Sequence, residues 1–447
     1  MATARDMTSG DILRHLIRFS VPLMLGNLFQ LSYNMVDTIV IGRFAGSTAL
    51  AAVGTCDQIM NLLILGVSGV CIGASVLMGN FFGAGDGEKL RRELETTLAM
   101  GLAFALAVMA AGIPLAGAVF RLMRVRPEMM GEASLYLRVI FAGMPFTCLY
   151  NIYAAALRSI GDSGTPVRYL VVSCAVNGAL DVVLVAFAGM GVLGAALATV
   201  FAQALSSALC MGHVNRRVPL LRVRWRGLRP DRGLARRTLA YGGMTALQQC
   251  SQPIGNLVIQ SSVNALGVSA AAAFSAVRKI EDIGLLPGRS IATAITALVA
   301  QNRGAGNGIR VEQGCRRGMA LELAAGVLMC AAVLALRRPL MRLFTLDGDI
   351  VESGVRYFDI IGFCYWLPCL TNGIQGWFRG VGRMTVTLFG TLTQISVRVL
   401  ATLLLVPRMG IPGVGLACVL GWCAMLSWEA PLQRRLAGGF AGTARRE

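Results

Sequence analysis

Asn27, Gln30, Tyr33 and Asp37 follow one another at spacings of 3, 3 and 4 inside an otherwise apolar stretch. At 100° per residue these four fall within a stripe of about 120° on one helix face. A stripe of amides, a phenol and a carboxyl cannot be turned toward hydrocarbon. An ionised carboxylate at membrane depth costs at least ~2.5–3.5 kcal/mol, so it is neutral, paired or in a wet cavity. Asp37 is therefore expected to titrate or to bind a cation, unless it lies near the outer end of its helix and simply anchors it. Asn177 and Asp181, four residues apart in a later apolar stretch, share a face. Thr199 on the next stretch adds a hydroxyl. Two carboxyls and two neutral oxygen groups suit a hard monovalent cation such as Na+, or a shared proton. A polar pair tying two helices together is the plainer alternative for Asn177 and Asp181.

These groups need an apolar frame, and the composition supplies one. Hydrophobic residues make up 55% of the chain and charged residues only 14%. Soluble domains carry about 25% charged residues, so most of the exterior must face lipid. Twelve apolar runs can be marked, at roughly 14–41, 49–78, 95–120, 133–156, 166–188, 191–212, 238–262, 268–300, 314–336, 353–377, 385–406 and 411–431. Backbone groups in lipid must be satisfied within their own segment, so these are helices. The ten-residue alternation of a β-barrel is nowhere seen. The expected fold is an all-α membrane protein with twelve transmembrane helices in two pseudo-symmetric six-helix lobes. Residues 1–212 form the first lobe, 213–237 a basic linker, and 238–447 the second lobe with a short tail.

The net charge of +18 does not imply nucleic acid as a partner. The arginines sit in short connections, where they set orientation and face anionic headgroups. Their placement puts both termini in the cytoplasm, with Arg216, Arg217, Arg222, Arg224, Arg226, Arg229, Arg232, Arg236 and Arg237 of the linker on the same side. A multi-pass cell-membrane location is expected, with no cleavable leader, because the first apolar run is too long for one. The twelve cysteines contain no CxxC pair, and His15 and His213 are far apart, so no structural metal is expected.

The two halves repeat. Gly83-Ala84-Gly85-Asp86-Gly87 recurs 221 residues later as Gly304-Ala305-Gly306-Asn307-Gly308, and the same offset pairs Tyr136 with Tyr357, Asn151 with Asn372 and Arg158 with Arg379. Met190-Gly191 then matches Met409-Gly410 after a slip of two. Such repeats place a cavity between the halves. Asn27, Gln30, Tyr33, Asn34 and Asn151 from the first half, and Gln249, Gln252 and Asn256 from the second, are its candidate lining, with Gln248 and Gln260 beside them. Asn177 and Asp181 correspond to Arg398 and Thr402, Asp37 to Ile259, and Thr199 to Cys418. The acid constellation thus occurs once, which favours a coupling role over a structural one. Pro22, fifteen residues before Asp37, permits a bend in the first helix or marks its first turns. Arg278, Lys279, Glu281 and Asp282, with Arg289 two turns on, read as a mutually neutralising cluster, with substrate contact as the alternative. The glycine-rich segments carry no phosphate-loop Lys-Ser or Lys-Thr, and no ATP-binding domain is present, so transport would run on an ion gradient.

The set Pro22-x4-Asn27-x2-Gln30-x2-Tyr33-x2-Val36-Asp37, Ile41-Gly42-Arg43, Ala49 to Gly54, Leu157 to Asp162 (echoed by Phe378 to Arg383) and Gly191 to Ala196 resembles the multidrug and toxic compound extrusion (MATE) family over nearly the whole chain. The resemblance implies an antiporter, not an enzyme, that alternates between outward- and inward-facing V-shaped states. It exports small organic, often cationic or amphipathic compounds against H+ or Na+, needs no cofactor besides that ion, and works as a monomer among membrane lipids. In DinF-like members a first-half site uses acids matching Asp37 and Asp181, with Asn177 and Thr199 beside them. NorM-like members also use acids in the seventh and tenth helices. Here the seventh run has none and Asp359 lies near the start of the tenth, which favours first-half coupling. A flippase for a lipid-linked precursor is the alternative reading.

Overall fold

The computed structural model describes residues 5–223 and 230–444, with side chains to residue 440. Arg224, Arg226 and Arg229 of the linker, and Arg445 and Arg446 of the tail, lie outside the described residues. The described residues form fourteen α-helices: α1 (Ile12–Val40), α2 (Ser47–Gly83), α3 (Gly87–Leu122), α4 (Pro127–Ser159), α5 (Gly164–Asp181), α6 (Gly191–Arg217), α7 (Arg232–Asn264), α8 (Val268–Gly284), α9 (Leu286–Gly304), α10 (Gly308–Arg342), α11 (Gly348–Ile361), α12 (Trp366–Gly380), α13 (Met384–Met409) and α14 (Ile411–Ala444).

Two of the expected runs are each split in two. The eighth breaks at Leu285, between α8 and α9, where Pro287 cannot continue the hydrogen-bond ladder and instead sits in the first turn of α9. The tenth breaks at the 3-10 turn Gly362–Cys364 between α11 and α12, just ahead of Pro368. Among the described residues nine helical stretches are long and apolar enough to cross a membrane, Val268–Gly304 counting as one. α1 and α7 are not among them, although they are 29 and 33 residues long. Their amides and charged residues, Asp37 included, lower the hydropathy, so sequence length rather than polarity marks them as spans.

The chain folds into two compact units. One contains Arg5 and Leu25–Ala246; the other contains Asp6–Met24 and the chain from Leu247 on. α1 therefore changes unit two residues after Pro22, and α7 changes unit near its middle. In the first unit α4 packs against α2, α3 and α6, and α5 against α6. Leu90, Leu94 and Leu98 of α3 bury against Met144, Cys148 and Ile152 of α4. Gly69 and Gly73 of α2 lie against the backbone of Ala246 and Gly242 of α7, a spacing of small residues that lets two helix backbones touch. In the second unit α12 packs against α9, α10 and α14, and α13 against α14.

The repeat is visible in the turns. Asp86 caps α3 by accepting from the Lys89 amide at 2.9 Å, and Asn307 caps α10 by accepting from the Arg310 amide at 3.1 Å. Gly85 and Gly306 precede these caps with φ of 72° and 70°, a left-handed conformation that a side chain resists. The Asp86 carboxyl, outside the membrane-spanning segments, is held below its ordinary range, chiefly by its hydrogen bond to Lys89.

Candidate functional site

The first unit brings α1, α5 and α6 together around the acids. Asn177 and Asp181 face the same way because they are one helical turn apart, and the Asn177 amide donates to Asp181 at 3.2 Å. Both are buried, Asp181 completely. The Asp37 carboxyl lies within hydrogen-bonding reach of Asp181. Two carboxyls in that arrangement repel when both are ionised, and a proton or a small cation between them removes the repulsion. Asp37 Oδ1 and Asp181 Oδ1 are buried with no protein partner, so each keeps an acceptor free for such a ligand. The Tyr33 hydroxyl lies within hydrogen-bonding reach of Thr199 and close to both acids. Thr199 is thus joined to the acids through Tyr33.

The local backbone changes at these acids. α1 runs into a π-helical turn, Ile41–Ala45, four residues after Asp37. α5 runs into another, Val182–Phe187, immediately after Asp181. The two turns pack on each other. A π turn inserts one extra residue into a helix and costs stability, and such turns concentrate at functional sites.

A third carboxyl escaped the sequence reading. Asp57 on α2 lies near enough to act electrostatically on Asp37 and on the buried Tyr136. Its position inside the second apolar run was a usable signal. Asp57 is exposed, whereas Asp181 is not. Among the described residues no group of three His, Cys, Asp or Glu converges on a metal-sized point.

The candidate cavity residues differ in surroundings. Gln30, Asn34 and Gln252 are exposed, and Asn27, Tyr33, Asn151, Gln249 and Asn256 are half-buried. The Asn151 amide donates to the Thr147 carbonyl of its own helix at 2.8 Å. Gln260 donates to Asn264 at 2.9 Å. Gln248 is no cavity wall: it is buried and donates to Gln375 and, at 2.9 Å, to Thr391.

The cluster at Arg278 to Asp282 neutralises itself only in part: Asp282 finds Arg289, and Glu281 finds partners elsewhere. Helical spacing turns Glu281 inward, where it accepts from the hydroxyls of Tyr357 at 3.0 Å and Tyr365 at 2.9 Å, close to Arg398. Asp282 faces the other way and pairs with Arg289 at 3.3 Å. Arg398 also donates to Asn256 at 3.4 Å. Asp359 is paired with Arg337 at 3.1 Å near the exposed surface.

A family model, MatE, matches residues 22–183 and 245–404. The chain is 28% identical over 418 residues to the "Probable multidrug resistance protein YpnP" of Bacillus subtilis (strain 168), covering 92% of this chain and 93% of that protein. It is 27% identical over 395 residues to the "Probable multidrug resistance protein NorM" of Thermotoga maritima, covering 86% and 83% respectively. A solved structure described as the outward-facing conformation of a multidrug resistance MATE family transporter superposes with a TM-score of 0.92 over 99% of both chains at 22% identity. That likeness shares the twelve-helix fold. Nothing in these comparisons supports the lipid-linked flippase. The match covers both halves of the chain, and with it the chain belongs to the MatE family of multi-pass membrane transporters, which are not enzymes.

Proposed function

We propose that this transporter is a secondary antiporter that exports small organic, often cationic or amphipathic compounds in exchange for H+ or Na+ by alternating access. The observation that carries the reading is the carboxyl pair Asp37 and Asp181 in the first unit, steadied by the Asn177 amide and ending two helices in π turns. When the pair is empty of a cation, its two charges repel; loading it removes that repulsion. One small ion then biases the packing of α1 against α5, and a bias on a helix that passes from one unit to the other is what an exchange cycle requires. Pro22 lies at that passage and supplies a point where α1 yields. The relatives' names point to multidrug compounds as cargo.

The exposed polar side chains Gln30, Asn34 and Gln252, with Asn27, Tyr33, Asn151, Gln249 and Asn256, supply the substrate contacts. The lobes correspond to 1–212 and 238–447, the basic linker 213–237 and both termini lie in the cytoplasm, and the protein works as a monomer in the cell membrane. The test is counter-transport in proteoliposomes loaded with ethidium, with the pH gradient and the sodium gradient imposed separately. One gradient alone should drive ethidium movement. No response to either gradient would overturn coupled exchange.

A further inference from the structure

The second unit holds two buried carboxyls that the scheme above leaves unused. Glu322 on α10 and Glu429 on α14 are both completely buried. Both oxygens of Glu322, and Oε2 of Glu429, have no hydrogen-bond partner. A single guanidinium, that of Arg379 on α12, acts on both. Glu429 Oε1 also accepts from the Gln375 amide at 3.2 Å.

The fold makes room for these groups. A Cβ at Gly288 of α9 would lie 3.1 Å from Glu322 Oε2, one at Gly373 of α12 would lie 3.0 Å from Glu322 Cγ, and one at Gly390 of α13 would collide with Glu429 Oε1. The repeat shows that packing does not demand the acids. Glu322 corresponds to Gly101 and Gly373 to Ile152, and in the first unit the Ile152 side chain covers Gly101. The large and small residues have exchanged places, and the second unit has a carboxyl where the first has a hydrocarbon. Glu429 likewise corresponds to Cys210, whereas Arg379 keeps its counterpart, Arg158. The arginine is common to both units and the two acids are additions.

We propose that Glu322 and Glu429 form a proton-binding site in the second unit, in which one of the two carboxyls carries a proton and the charge of the other is balanced by nearby Arg379. Two carboxylates beside one guanidinium leave one negative charge without a counter-charge in a dry interior, and binding one proton from water restores neutrality. The other groups turned toward the pair are Cys369, Asn372 and Gln375 on α12, with Gln248 on α7 and Thr391 on α13 behind Gln375. None of these brings a positive charge. This inference does not rest on the role given to Asp37 and Asp181.

Infrared spectroscopy of the purified protein tests it, because a protonated carboxyl has a C=O band that an ionised one lacks and that shifts in D2O. Wild type minus Glu322→Gln, and wild type minus Glu429→Gln, should each show one such band lost at neutral pH, since the remaining carboxylate is then balanced by Arg379. Arg379→Gln should gain a second band of equal intensity. The band should persist in Asp37→Asn, which separates this site from the first unit's acids. If one variant cannot be recovered, the other two carry the same readout. Identical carboxylic-acid spectra for wild type and the recovered variants would overturn the proposal.

Discussion

Thr238 on α7 donates its hydroxyl to the buried carboxyl of Glu93 on α3 at 2.5 Å, joining residues 145 apart in the sequence. Thr97 donates to the same oxygen at 3.3 Å. Leaving a buried acceptor without its donor costs about 1–3 kcal/mol. Thr238→Val keeps the shape and loses the bond, so its melting midpoint in detergent should fall well below wild type. Thr238→Ser should stay near wild type. A valine variant that melts with the wild type would contradict the assignment.

Gly73→Val should be poorly tolerated. Its Cβ would meet the Gly242 backbone, so α2 and α7 would have to move apart, at about 1–3 kcal/mol for overpacking. Gly54→Ala on the same helix is the control: nothing lies within 4 Å of its Cβ, and alanine favours a helix. Thermal unfolding of the two variants should therefore shift in opposite directions.

The segment Met7–Gly10 is held mainly by Arg310, with Gln301 and Asn302 on Met7 and His15 on Ser9 beside it. Arg310 donates to the carbonyls of Gly10 at 2.9 Å, Met7 at 3.1 Å and Ser9 at 3.1 Å. Arg310→Ala should raise amide hydrogen exchange across residues 6–11 severalfold. Arg317→Ala removes only an exposed pair with Asp11, a class of interaction worth about 0–1 kcal/mol, and should leave that exchange nearly unchanged.

Arg398→Met should lower stability by leaving Glu281 with its two tyrosine donors but no opposing charge. Adding Glu281→Gln should recover most of the loss. Equal melting of the single and double variants would show that the two side chains do not interact.

Much of this was readable from one-dimensional pattern, and the reasons differ by residue. Asp37 and the pair Asn177 and Asp181 stand out because a polar stripe inside an apolar run has few uses. The halves stand out because their turns repeat glycine and cap residues at a fixed offset. Glu322 and Glu429 did not stand out, since each is a single acid whose neighbours come from other helices. Spacing along a helix cannot pair Glu322 with an arginine on α12. Glu281 was misjudged for a related reason: adjacent opposite charges look self-sufficient, yet successive helix positions point in different directions. The breaks inside the runs 268–300 and 353–377 were both missed: Pro287 marks the first, and Gly362–Cys364 carries a weaker mark.

The central claim is that Asp37 and Asp181 hold the exchanged cation. The most direct measurement is ion movement coupled to ethidium in proteoliposomes, compared across wild type, Asp37→Asn and Asp181→Asn. Gradient-driven ethidium accumulation should fall at least tenfold in each variant while ethidium binding to the purified protein is retained. Undiminished gradient-driven accumulation in both variants would contradict the account.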